Sequence, residues 1–151
     1  MRRHRGEPRP RHATGQGLVE FAISALLFFT FIFGIIEMGW LLYTHHQVTA
    51  AAREGARYAS VHGTMSQGLK DPAAIQAYTL DPAVVKQAML EKVTLTEPAA
   101  LTVTIARPDG DLQPQHRVTV RVTYPYRPLI GWILPTPALT LRAESTMIVH
   151  Y

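Results

Sequence analysis

Residues 18–43 form an unbroken apolar run of 26 residues that carries only two charges, Glu20 and Glu37. The uncharged interior, residues 21–36, would be about 24 Å of α-helix and the whole run about 39 Å. A bilayer hydrocarbon core of about 30 Å falls between these lengths, so the run predicts one membrane-spanning helix. Trp40 and Tyr43 would serve as aromatic anchors at its far end. A buried helix of a soluble core would need an apolar partner face of similar size. The 108 residues after Tyr43 supply none.

The charge distribution orients this helix. Of 15 Lys and Arg, five (Arg2, Arg3, Arg5, Arg9 and Arg11) lie in the first 15 residues beside a single acid, Glu7. That segment alone accounts for the net +4, and the remaining residues hold ten basic and ten acidic side chains. Positive charge before the span places the N-terminus in the cytoplasm and everything past about Tyr43 outside it. A folded basic surface for nucleic acid is excluded by the same split. A cleaved secretory signal does not fit either. The run is too long, and Thr44, His45, His46 and Gln47 offer no small-residue cleavage site. With no cysteine, disulfides, thiolate metal sites and cysteine nucleophiles are all ruled out.

Glu20 stands close to the start of the span, where an acid costs less than the roughly 2.5–3.5 kcal/mol expected at the bilayer centre. Spacing leaves two readings open. Glu20 sits among the cytoplasmic headgroups, or it belongs to a new chain end. A cut after Gly15 would make Glu20 the fifth residue and leave a cationic α-amino group on Gln16. The Glu20 of an adjacent subunit would then neutralise that amine where water is scarce.

The residues Gly15-Gln16-Gly17-Leu18-Val19-Glu20-Phe21 follow a basic leader and open an apolar helix. In this the chain resembles a type IV prepilin, and in its particular wording the TadE-like pseudopilins of tight-adherence (Tad/Flp) pilus systems. A second stretch, Ala51-Ala52-Arg53-Glu54-Gly55-Ala56-Arg57-Tyr58-Ala59, is similar to the Ala-Ala-Arg-Glu-Gly-Ala-Arg signature that follows the span in that family. The resemblance covers residues 15–60 by motif and the rest by layout. It implies a prepilin-peptidase cut between Gly15 and Gln16, and a pairing role for Glu20, with Phe21, at the processed N-terminus. It also implies partners among other pilins or pseudopilins and the Tad secretion machinery, in a bacterial inner membrane. Two departures from type IV pilins stand out, no proline in residues 21–36 and Gln16 at the first mature position, and the second favours a Tad-type pseudopilin.

Residues 44–61 contain no proline and are rich in alanine, which predicts that the helix continues out of the bilayer. Val48, Ala52, Gly55 and Ala59 recur at three- and four-residue steps and form a small-residue face that lets another backbone approach. Ala56 belongs to the same motif. This chain's own sheet and a neighbouring pilin helix are both open as the partner. Arg53 and Arg57 share another face, and Glu54 is three residues from Arg57, close enough to pair.

Residues 62–98 read as a helical connecting region. Asp71-Pro72 and Asp81-Pro82 each place a capping acid before a proline at the first helical position. The second opens an amphipathic helix over residues 82–93 with Val85, Met89 and Val93 on one face. In residues 99–151 the period becomes two: Leu101, Val103 and Ile105 alternate with polar residues, as do Val118, Val120, Val122 and Tyr124. Pro108-Asp109-Gly110-Asp111 between them signals a turn, and a third strand spans residues 138–149. The apolar stretch 129–134, bracketed by prolines, reads as a crossover that covers the sheet or offers a contact patch. The predicted fold is α+β. A leader (1–15) and a transmembrane and extended helix (16–61) precede the connecting region and a small, pilin-like antiparallel sheet of about three strands.

Catalytic patterns do not emerge. Seven scattered histidines lack metal-ligand spacing, and Asp109 and Asp111 are too few for a calcium loop. There is no phosphate loop, nucleophile elbow or dinucleotide fingerprint. Glu20 and Glu37 would lie about 25 Å apart on one helix, too far for joint acid–base work. The sequence therefore predicts a non-enzymatic pseudopilin that calls for no cofactor and acts through helix–helix contacts. The rival is an uncleaved, membrane-anchored binding module that would use the 129–134 stretch.

Overall fold

The computed structural model describes residues 13–129, 131 and 139–150. Most of the basic leader and of the 129–134 crossover thus lie outside the described residues. Helix α1 spans Ala13–Val61, 49 residues, and the chain divides into two compact units, residues 1–38 and 39–151.

In the first unit the large apolar side chains of α1 are exposed on every side. Phe21, Leu26, Phe31 and Met38 each keep about two thirds of their surface. By length and composition Gly15–Val61 is a candidate membrane span, and none of its most apolar window is buried within the chain. A helix apolar all round is suited to hydrocarbon rather than to water. Thr30, a polar interruption here, donates its hydroxyl to the Leu26 carbonyl at 2.8 Å and so costs little in such a medium.

The second unit is built on a three-stranded antiparallel sheet in the order β1 (Thr102–Ala106), β2 (Arg117–Tyr126), β3 (Leu139–Ile148). The expected alternation holds on the central strand: Val118, Val120, Val122 and Tyr124 are all buried. They meet Val48, Ala51, Ala52, Ala56 and Ala59 of α1, with Val85 and Met89 of α3 (Pro82–Leu90) in the same core. Thr119 points to the other face of β2 and is nevertheless buried. Its hydroxyl lies 2.8 Å from that of Thr146, its register partner on β3.

Both Asp-Pro signals cap helices as expected. The Asp71 carboxylate accepts from the Ala73 N–H at the start of α2 (Pro72–Ala77), and Asp81 from Ala83 at the start of α3. Helix α3 is shorter than the periodicity predicts. The Lys92 N–H bonds the Met89 carbonyl at 3.0 Å, a tighter closure that ends the helix, while Val93 still reaches the core from the turn. The Glu54–Arg57 pair is likewise absent from the ion pairs of the described residues. An exposed pair three apart gains only a few tenths of a kcal/mol, too little to hold two long side chains together. At the far end of α1, the Ser60 carbonyl accepts from the His150 N–H at 2.8 Å, which ties the C-terminal segment to the helix and satisfies one of its last carbonyls.

The β1–β2 connection is longer than a tight hairpin, and both its aspartates are in use. Asp111 accepts from the Gln113 backbone and side chain and pairs with His116. Asp109 accepts from the backbone N–H, Nε and Nη2 of Arg117, at 2.7, 3.1 and 2.7 Å. Gly110 turns the chain at φ 96°, and Leu112 drops back into the core. The Arg117 hydrogen bonds pull the Asp109 carboxyl from 3.8 down to about 2. A depressed folded-state value stabilises the fold above the unfolded pKa and is lost on acidification. Stability to denaturant should therefore fall between pH 3.8 and about 2. Asp109→Asn should flatten that part of the curve, and an unchanged slope would show that the Arg117 pair is not coupled to folding.

Candidate assembly site on the long helix

The two motifs lie on one helix but in different surroundings. At the first, α1 already includes Gly15 and Gly17, and a Cβ built on either would find no atom within 4 Å. Nothing within the fold requires glycine at these positions. Both lower helix propensity by about 1 kcal/mol each, which leaves the helix around the Gly15–Gln16 peptide easier to unwind. Gln16 and Glu20 are four residues apart, on one face and one turn distant. Glu20 and Phe21 are both exposed.

The second motif divides into an inner and an outer half. Ala51, Ala52, Ala56 and Ala59 are completely or almost completely buried, a wider stripe than the three- and four-residue steps suggest. Gly55 lies at its centre. A Cβ there would come within 1.8 Å of the Met89 terminal methyl and 3.1 Å of Val120 Cγ1. Between the two partners open for this face, the burial identifies the chain's own sheet and α3. Arg53 and Arg57 point outward, and neither belongs to an ion pair among the described residues. Arg57 instead borders an open surface depression with Glu54, Tyr58 and Lys92.

Sequence reasoning found the small face and the apolar face of α3 separately. It did not find that Met89 fills the space left by Gly55, because helical spacing identifies a face and not what lies across it. Nor did it place Trp40 beside the end of β2. Trp40 stacks on Tyr43 at 5.5 Å and lines a small cavity with Thr44, Tyr126 and Arg127. Among the described residues no three His, Asp or Glu side chains converge to hold a metal.

Residues 15–57 match the model of a protein family described as TadE-like protein. The match begins at Gly15 and ends at Arg57, so it takes in both motifs and the apolar helix between them. No curated protein and no solved structure matches the chain.

The geometry at Gly55 reverses the ordinary helix-propensity expectation. Alanine should gain about 1 kcal/mol in a helix interior, but crowding into a packed core typically costs about 1–3 kcal/mol. Gly55→Ala should therefore lower the melting temperature of the full chain in detergent. Adding Met89→Ala should recover part of the loss, as a double-mutant cycle would reveal. A Gly55→Ala protein that melts no lower than the parent would contradict the close packing.

Proposed function

We propose that this chain is a minor pseudopilin, an assembly component of a Tad (Flp-type) pilus system, with a structural rather than catalytic role. One observation carries the reading. A helix whose apolar side chains are exposed all round carries near its start the Gly15–Gln16 junction, with a glutamate at the fifth position beyond it. The family match over residues 15–57 supports the same assignment.

In this reading a prepilin peptidase cuts between Gly15 and Gln16. The cut removes the arginine-rich leader that had held the N-terminus in the cytoplasm. It also creates a cationic α-amino group at the head of an apolar helix. Alone in lipid, that amine and the Glu20 carboxylate are each costly. Paired across two subunits, each offsets the cost of the other, so correct register between neighbouring helices is favoured over every misaligned one. Residues 18–38 provide the apolar surface for those contacts. The globular unit, with its small-residue face already filled, remains on the extracytoplasmic side.

Two substitutions separate processing from pairing. Gly15→Leu should leave the fold unchanged, since no atom lies near the position, and should abolish removal of the leader. Glu20→Gln should be processed normally yet fail to co-purify with the other pilins, with pilus assembly lost. Normal pilus assembly with Glu20→Gln would remove the pairing role.

A further inference from the structure

One corner of the globular unit brings the end of β2 against the helix at Trp40. Trp40 and Thr44 on α1 line one cavity together with Tyr124, Tyr126, Arg127 and Leu129 from the end of β2 and the residues beyond it. Thr44 is buried, and its hydroxyl bonds the Trp40 carbonyl at 2.9 Å, so the folded unit begins within a turn of the tryptophan. Around this corner the outward-facing side chains are mixed, with Thr96 and Arg127 exposed beside aromatic and aliphatic residues. Leu42, Tyr43 and Leu129 are each about half exposed. Among the described residues the corner also carries a charged pair, Arg127 with Glu97, Nη1 to Oε1 at 3.0 Å.

Helical rise sets the depth of this corner. The stretch between Glu20 and Glu37 is about 25 Å, close to a hydrocarbon core, and Thr44 lies about 10 Å further along. Each headgroup layer adds about 5–7 Å beyond the hydrocarbon. Trp40 and Tyr43 therefore fall within the headgroup layer, and whatever packs beside Trp40 falls there too. An aromatic, an aliphatic tip and an arginine at that depth match the mixed polarity of the interface, which bulk water does not.

We propose that the unit's corner at Trp40, Tyr43, Arg127 and Leu129 rests on the extracytoplasmic lipid surface, with Leu129 at acyl-chain level and Arg127 within reach of headgroup phosphates. The proposal depends on α1 spanning the bilayer.

The chain has no cysteine, so single reporters are easily introduced. Full-length protein in phospholipid nanodiscs would carry an environment-sensitive fluorophore at Phe28→Cys, Leu129→Cys or Pro108→Cys. Position 108 adjoins the opposite end of β2, about 30 Å away along the strand. Lipids bearing a nitroxide deep on the acyl chain should quench the label at 28, lipids bearing one high on the chain should quench the label at 129, and neither should reach the label at 108. Quenching at 28 with none at 129 would overturn the proposal while leaving the span intact. A label at 129 shielded from aqueous iodide but untouched by the nitroxide would also overturn it and assign the corner to a protein partner. Absence of quenching at 28 would remove the spanning helix, and the docked corner with it.

Discussion

The close approach of α1 to β2 is the contact on which the folded unit depends. A three-stranded sheet is marginal by itself, and here only one of its faces is apolar. The other is lined by Thr102, Thr104, Arg121, Thr123 and Glu144, with Arg121 and Glu144 bonded across the β2–β3 register. Nearly all the apolar burial must therefore be made on the side of Val118, Val120 and Val122. Ala51, Ala52, Ala56, Ala59 and Gly55 keep the helix backbone near enough for those valines and Met89 to fill the space without voids. Larger residues on this stripe would lift the helix away and open the core.

One helix thus serves two solvents. Along its first part, residues 18–36, the phenylalanine, leucine and isoleucine side chains are exposed all round. Its later part is amphipathic in an unusual sense, with alanine and glycine rather than leucine on the buried side. The consequence for assembly is a division of labour. The small-residue face, for which a neighbouring helix was also open as partner by spacing alone, is buried within the chain. Under the proposed role, contacts between subunits would fall to the exposed apolar stretch and Glu20. Arg53 and Arg57 remain on the outside of the same motif, facing away from the core.

The parts of this architecture that follow local rules were legible in the sequence. The alternation from Val118 to Tyr124 gave the inward face of the central strand, the two Asp-Pro pairs gave the starts of α2 and α3, and the apolar run gave α1. What escaped was set by partners distant in sequence. Thr119 is buried because Thr146 lies opposite and satisfies its hydroxyl, which a period-two pattern reads only as a polar position. Asp109 and Asp111 looked like turn residues, but they also fix Arg117 and His116 at the start of β2. The candidate site divided in the same way. Gly15, Gln16 and Glu20 were singled out through the resemblance of their order to a prepilin start, since spacing alone left the role of Glu20 open. The inner half of the second motif acquired its meaning only from Met89 and Val120.

The central claim is that the chain functions as a processed helix, and the N-terminus of the mature protein tests it most directly. Membranes from the native host and from a strain with a catalytically dead prepilin peptidase would be compared by N-terminal sequencing and intact mass. The account predicts Gln16 as the first residue only where the peptidase is active, with the arginine-rich leader retained in the other strain. A leader retained in both strains would contradict it and leave an uncleaved membrane-anchored protein in its place.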